Sequence, residues 1–423
     1  MRVALVSVNF WPEVTGIGPY ARAYADLLHD AGHDVRVVTS WPHYPEWRVR
    51  PADDAALPYP VRRCRHYVPS RPTALLRMAF ELSFGFAAHR ALRAMERPDL
   101  VLAISPSLAG AAAAARYAAS AGIPFGLVVQ DIVSAATEQS VTGRAFRGPA
   151  SLLEGYALRQ AAAVGMVSET FAPRLRALGA PGGRLLPVRN WPLSERAFPS
   201  RGEARQRASF PSGEVVCVHA GNLGAKQGLE TVVEAAALAA RTGAPGRFVL
   251  IGDGNQRARL EALARDVPRM EFRPLLPESD LFDALAGADV LLLHQRASVR
   301  DMALPSKLTT YVRSGTPIVA AVAADSAAGR DLSAYGAALM VPPERPELLL
   351  DAVLRAARDP ELGRSLVEGA QAYREAVLDR AKLERAFLTF VEVCAGNARH
   401  RAGVCAPAQP EPPSSYVTPG RRL

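Results

Sequence analysis

The chain has 423 residues, too many for one ordinary core, and its 49% hydrophobic and 7% aromatic content is that of a globular protein of about two domains. A net charge of +9 invites a nucleic-acid reading, but Arg and Glu are mostly interspersed and no exposed aromatics interleave with the basic stretch, so nucleic acid is not an expected partner. The four cysteines, Cys64, Cys217, Cys394 and Cys405, show no CxxC and no His spacing, which speaks against structural zinc and for a reducing compartment.

The opening MRVALVSVNFWPE is a strand, Val3 to Val8, that meets polar residues before the apolar segment of a signal peptide could form. No apolar run reaches the about 18 residues of a membrane span. A cytoplasmic protein is therefore expected. The strand leads through Gly16 and Gly18 into a helix from Pro19 to Ala31, and a second strand follows at Val35 to Thr39. A strand, a glycine turn and a helix open a nucleotide-binding unit, with the backbone free to approach a ligand at the helix start.

The next loop, SWPHYPEW, holds His43, Glu46 and Trp47 between prolines. Its aromatic faces suit either stacking on a sugar or anchoring the loop itself. Between Arg62 and Arg97, eight arginines face only Glu81 and Glu96, a local net of +6. Within this stretch the helix Thr73 to Met95 carries apolar residues on several faces. Such a helix is either packed between neighbours or lies on an anionic bilayer surface, at the inner face of the cytoplasmic membrane.

Strands at Leu100 to Ile104, Phe125 to Val129, Ala163 to Val167 and Leu185 to Val188 then alternate with helices, which implies a parallel sheet covered on both faces. Ligands in that arrangement lie beyond the C-terminal strand ends, so Asp131, after a wholly apolar strand, is either a site carboxylate or a helix cap. Residues 196–213 are rich in Pro, Gly, Ser and Arg and read as a linker between domains 1–195 and 214–375.

A second series starts at Val215 and again runs into glycines, Gly221, Gly224 and Gly228. The strand ending at Ile251 meets Gly252, Asp253 and Gly254. The stretch LPSKLTTYVRSGTPIVA predicts a helix start at Pro305 and Ser306, a stop at Gly315 and a buried strand from Ile318. Lys307 in the first turn of that helix makes either an anion site or a solvated face. Helices are expected over 347–359 and 370–393, and a disordered tail from about 397.

Four motifs, TGIGPYARAYADLLHDAGHDVRVVTSWPHYPEW, GNLGAKQGLETVVEAA, IGDG and LPSKLTTYVRSGTPIVA, in this order, resemble the retaining glycosyltransferases of family 4. Within that family they are most similar to the bacterial colanic acid fucosyltransferase and O-antigen fucosamine transferase type. The resemblance covers residues 1 to 395. It implies an α/β chain of two facing Rossmann-like domains (GT-B), each a parallel sheet with helices on both faces, and a last segment, 376–395, that returns to the N-terminal domain. It also implies transfer with retention, no metal or other cofactor, and two ligands: a nucleotide diphospho-sugar donor and a lipid-linked or glycan acceptor.

By the resemblance, Gly16, Gly18, Asn222, Lys226, Gly252, Asp253, Ser306 and Thr310 face the donor. His43, Glu46 and Trp47 face the acceptor, and Lys307 and Asp131 carry the chemistry. The family's phosphate-binding Arg and Lys stand here as Asn222 and Gln227, and its two glutamates as Met302 and Thr310. Those departures keep open a catalytically silent nucleotide-sugar binding protein, and the shared two-lobed architecture keeps open a nucleotide-sugar 2-epimerase.

Overall fold

The computed structural model describes residues 1–14, 16–137 and 147–396, so the tail expected from 397 and its arginines lie outside the described residues. The N-terminal lobe is a seven-stranded sheet: β1 (Arg2–Val6), β2 (Asp34–Ser40), β3 (Val61–Cys64), β4 (Leu100–Ile104), β5 (Phe125–Val129), β6 (Ala163–Met166) and β7 (Leu185–Pro187). Their spatial order is β3-β2-β1-β4-β5-β6-β7 and every pairing is parallel. The C-terminal lobe has six strands: β8 (Val215–Ala220), β9 (Gly246–Ile251), β10 (Met270–Arg273), β11 (Val290–His294), β12 (Ile318–Ala321) and β13 (Leu339–Val341). They are also all parallel, in the order β10-β9-β8-β11-β12-β13.

The central strands are apolar throughout because both faces are covered. Along β1, Val3 and Leu5 enter one core while Ala4 and Val6 enter the other. Chain order reverses between β1 and β4 in one lobe and between β8 and β11 in the other, and a ligand crevice opens at such points. The chain is thus two parallel α/β lobes with helices on both faces, as the sequence implied.

Three stretches differ from expectation. Residues 196–213 contain the helix Arg201–Arg207, and Ala204, Ala208 and Phe210 are buried, the last two in the C-terminal lobe's core, so this segment is largely part of that lobe. The helix expected over 370–393 is divided into Pro360–Val377 and Arg380–Cys394, with Asp379 accepting from Lys382 N at 2.9 Å to cap the second part. Strands β3 and β13, unforeseen, lie at sheet edges.

The Arg380–Cys394 helix lies on the N-terminal lobe. Phe387 stacks on Tyr24 with ring centroids 4.4 Å apart and meets Trp191 at 6.3 Å. Gly126 in β5 makes room for it, since a Cβ there would stand 2.6 Å from the Cys394 sulfur. Because Phe387 is wholly buried, Phe387→Ala is expected to cost about 3–5 kcal/mol. A denaturant midpoint followed by tryptophan fluorescence checks this, and a cost below about 1 kcal/mol would contradict the packing role.

Candidate active site

The far wall of the interlobe cleft is built from strand ends of the C-terminal lobe. After β8 the chain passes through Gly221 to Gly224 into the single 3₁₀ turn Ala225–Gln227, and the helix Glu230–Thr242 follows. The loop after β9 lies on this one: Leu223 N donates to the Asp253 carbonyl at 2.8 Å and Gln256 N to the Leu223 carbonyl at 2.9 Å. Gly252 holds φ at +134°, and a Cβ there would fall 2.0 Å from the Gly221 carbonyl oxygen, so the two loops meet only because that residue is glycine.

Lys307 closes this wall. The stretch around it forms one helical turn, Leu308–Tyr311, in place of the longer helix expected. So short a helix offers little dipole, and the attraction for an anion must come from the Lys307 side chain. Its Nζ stands 2.7 Å from His219 Nε2, while His219 Nδ1 donates to the Leu292 carbonyl at 3.1 Å. Tyr311 ties the turn to β8 by accepting from Ala220 N at 2.7 Å. Burial alone pushes the Lys307 amine down to about 7. Burial, and then the nearby Lys307 charge, hold His219 well below the ordinary imidazole value.

The near wall belongs to the N-terminal lobe and depends on Glu13, which sequence reasoning did not single out. Its buried carboxylate accepts from His43 N at 2.7 Å and Tyr44 N at 2.8 Å with one oxygen, and from Asn9 Nδ2 at 2.7 Å with the other. The aromatic loop is thereby fixed. Trp47 packs on Phe80 at 5.2 Å, with the Arg77 guanidinium 5.3 Å over its ring, so it anchors the loop and also lines the cleft. Asp131 spans the gap: it bridges to Ala303 as an antiparallel pair, and its carboxylate stands 3.4 Å from Lys226 Nζ. It does not cap the helix Val133–Thr137, because Glu154 accepts from Val133 N at 3.0 Å and Ser134 N at 3.1 Å.

The cleft between these walls holds about 1820 Å³. Gly16, Glu46, Trp47, Asp131, Asn222 and Lys226 line it, as do Asp253, Ser306, Lys307 and Thr310. Three expected residues do not. Gly18 is buried with its α-carbon against the loop before it, a Cβ there falling 2.9 Å from the Glu13 carbonyl oxygen. His43 is also buried, its ring packed on Phe80 at 5.1 Å and hydrogen-bonded to the Trp41 carbonyl at 2.9 Å. Gly252 lies under the Gly221 loop and serves the wall from behind.

His219, His294 and Gln295 were not foreseen, and Gln227 was noted only as a departure from the family's phosphate-binding Lys. Gln227 Oε1, His294 Nε2 and Gln295 Oε1 are buried along the cleft wall with no hydrogen-bonding partner among the described residues. Burial holds His294 down to about 4, so its ring is a neutral acceptor. The signal that could have found these residues is position: His219 lies near the end of β8, and His294 and Gln295 at or just past the end of β11, the two strands at the reversal point.

Comparison with known proteins adds to this geometry. Residues 15–191 match the glycosyl transferase 4-like domain, and residues 214–359 match the domain of glycosyl transferases group 1. The chain is 30% identical over 412 residues to WcaI of Escherichia coli K12, a protein assigned as a colanic acid biosynthesis glycosyl transferase, covering 92% of this chain and 99% of that one. Its fold is similar to sucrose-phosphate synthase of Thermosynechococcus elongatus (TM-score 0.74, 18% identity, 94% and 100% of the two chains). It is also similar to Anabaena HepE in complex with UDP-glucose (TM-score 0.68, 14% identity, 93% and 99%).

The half-buried Lys307, whose amine is desolvated on the cleft wall, should weaken the unliganded protein. Below about pH 7 the lysine is charged in the folded and unfolded chains alike and the full burial cost is present. As the pH rises toward the unfolded value of about 10.4 that cost disappears. Lys307→Met is therefore expected to raise the melting temperature near pH 6.5, by an amount that shrinks toward pH 10, and a scan of both proteins across that range checks it.

Proposed function

The chain belongs to the family 4 glycosyltransferases, and from that premise we propose that it moves a sugar from a nucleotide diphospho-sugar to a lipid-linked glycan acceptor, with retention, in exopolysaccharide, capsule or O-antigen synthesis. The observation that carries this reading is Lys307: a cation with no carboxylate partner among the described residues, held beside the Gly221 loop at the crevice where strand order reverses. A diphosphate fits that position. The unpaired Gln227, His294 and Gln295 atoms favour a sugar that offers several hydroxyl donors.

The chemistry follows from charge. As the bond from the sugar's anomeric carbon to the diphosphate oxygen breaks, negative charge grows on that oxygen, and Lys307, helped by Lys226, stabilises it without a metal. The acceptor hydroxyl attacks on the same face, the departing phosphate oxygen takes its proton, and nucleoside diphosphate leaves. This route keeps the anomeric configuration and needs no carboxylate pair of the kind hydrolases use. Asp131, bound to Lys226, faces the acceptor side and orients the hydroxyl.

The acceptor is reached from the membrane. Among the described residues no helix is long and apolar enough to cross a bilayer. However, the helix Ala74–Arg93 exposes Leu75, Met78, Leu82 and Phe86, spaced three and four apart so that they form one stripe opposite the buried Phe80 and Phe84. Exposed Arg62, Arg65, Arg71, Arg90 and Arg93 flank it, whereas Arg63 is turned inward to Asp54 at 2.6 Å. Apolar side chains bordered by arginine suit an anionic lipid surface, and Pro72 and Arg77 at the start of this helix line the cleft, which would place a lipid-linked acceptor at its mouth.

Two measurements test the reading. In a thermal-shift panel of UDP, GDP, dTDP, UDP-glucose, UDP-GlcNAc and GDP-fucose, one nucleotide class should raise the melting temperature, and Lys307→Ala should then lose about 10²-fold or more in kcat; a loss below about tenfold overturns the lysine's role. In sedimentation with phosphatidylglycerol vesicles at low salt, the wild type should pellet, while Leu82→Asp with Phe86→Asp should bind about tenfold more weakly. Equal binding of the two proteins overturns the membrane reading.

A further inference from the structure

We propose that Lys307 and His219 act as one proton-accepting pair for the donor's diphosphate, so that donor binding draws a proton into the lobe, and His219 positions the nitrogen that receives it. The inference rests on the donor reading given above and concerns what the site must do electrostatically to accept that ligand.

With His219 Nδ1–H donating to the Leu292 carbonyl and the ring held neutral by burial, Nε2 is left to accept from Lys307 Nζ across the 2.7 Å contact, beside the backbone of Asn222, to which the ring also hydrogen-bonds. The lysine stem passes the backbone of Gly221, where a Cβ would lie 3.3 Å from Lys307 Cε and 3.4 Å from Nζ. The nitrogen therefore sits at the mouth of the glycine loop, where a diphosphate would be held.

Among the described residues, the groups around it offer no counter-charge. From β8 comes His219. The end of β11 supplies His294, neutral because it is buried. The one-turn helix supplies the Tyr311 phenol, occupied by Ala220 N. Lys226 on the neighbouring turn is another cation, and the carboxylate nearest to it, Asp131, is engaged by it at 3.4 Å. Asp253, beyond β9, turns Oδ1 to Gly254 N at 2.7 Å, and Glu230 pairs with Arg296. An amine is tolerated in such a place better than an ammonium, and burial moves its titration to about pH 7.

A nucleotide diphospho-sugar carries two negative charges that do not titrate near neutrality. Placed against Nζ it favours the ammonium, so the amine takes a proton from solvent or buffer acid as the ligand enters, and releases it when the nucleoside diphosphate leaves. His219 Nε2 accepts a hydrogen in both states and keeps the nitrogen aimed at the loop.

Isothermal titration calorimetry of the full chain with UDP-glucose, UDP-GlcNAc or GDP-fucose, in buffers of different ionisation enthalpy, counts the protons taken up. Roughly 0.9 proton is expected at pH 8 and roughly 0.1 at pH 6, with Kd rising up to tenfold per pH unit above the midpoint. Clear binding heat with no uptake at pH 8, or with uptake that does not change with pH, overturns the proposal. Absence of binding by all three ligands overturns the donor reading on which it rests. Lys307→Gln should abolish the uptake, and uptake that persists in that variant places the proton elsewhere and overturns the assignment. His219→Gln, which keeps an acceptor, should retain it, whereas His219→Leu should move the midpoint of the Kd profile to lower pH, because the lost acceptor had favoured the ammonium. A lowered melting temperature with an unmoved midpoint would make His219 structural only.

Discussion

A parallel sheet delivers all its strand ends to one edge, and that constraint organises the molecule. Each lobe collects the loops that can hold a ligand along the C-terminal edge of its strands, and reversal of chain order opens a crevice at β1/β4 and at β8/β11. The pairing of Asp131 with Ala303 brings the two edges together. The Arg380–Cys394 helix, which reaches the cleft only through Arg380 and Glu384 in its first turns, fixes the arrangement by burying Phe387 and Phe390 in the N-terminal lobe. The cleft is thus a consequence of strand direction, and its chemistry is set by the few side chains at the reversal points.

What the sequence made legible follows from burial. Leu100–Ile104 and Phe125–Val129 are buried at every position, and an uninterrupted apolar run states both the strand and its limits. The edge strands Val61–Cys64 and Leu339–Val341 were not legible, because an edge leaves one side to solvent and admits arginine, as in VRRC, without penalty. The one-turn helix after Lys307 was overestimated because Pro305, Ser306 and Gly315 mark a start and a stop but say nothing of how many turns form between them.

The site was legible in the loops and hidden in the core. Glycine motifs placed Asn222, Lys226, Asp253 and Lys307 on the cleft wall, whereas Gly18 and His43 sat in equally suggestive motifs and turned inward. Glu13 and His219 act through contacts 30 and 88 residues away in sequence, and no local pattern records a distance of that kind. For His43 the aromatic loop's own packing decided the outcome: a ring held among Trp47, His66 and Phe80 cannot also face solvent.

The departures from the family's usual residues form one physical pattern. With Asn222 and Gln227 on the glycine loop, Lys226 is the only cation there, and Asp131 already shares its charge. The other cation is Lys307, on the same wall beside Gly221 and without a carboxylate partner among the described residues. Arginine could not serve in that position, because a guanidinium keeps its charge at any physiological pH and its burial without a partner would be far costlier. Lysine eases the penalty by giving up its proton, and the His219 lone pair accepts a hydrogen from the nitrogen in both states, more strongly from the ammonium. A site built this way is less positively charged when empty than when an anion enters, so part of its attraction for a diphosphate is created by the ligand that needs it.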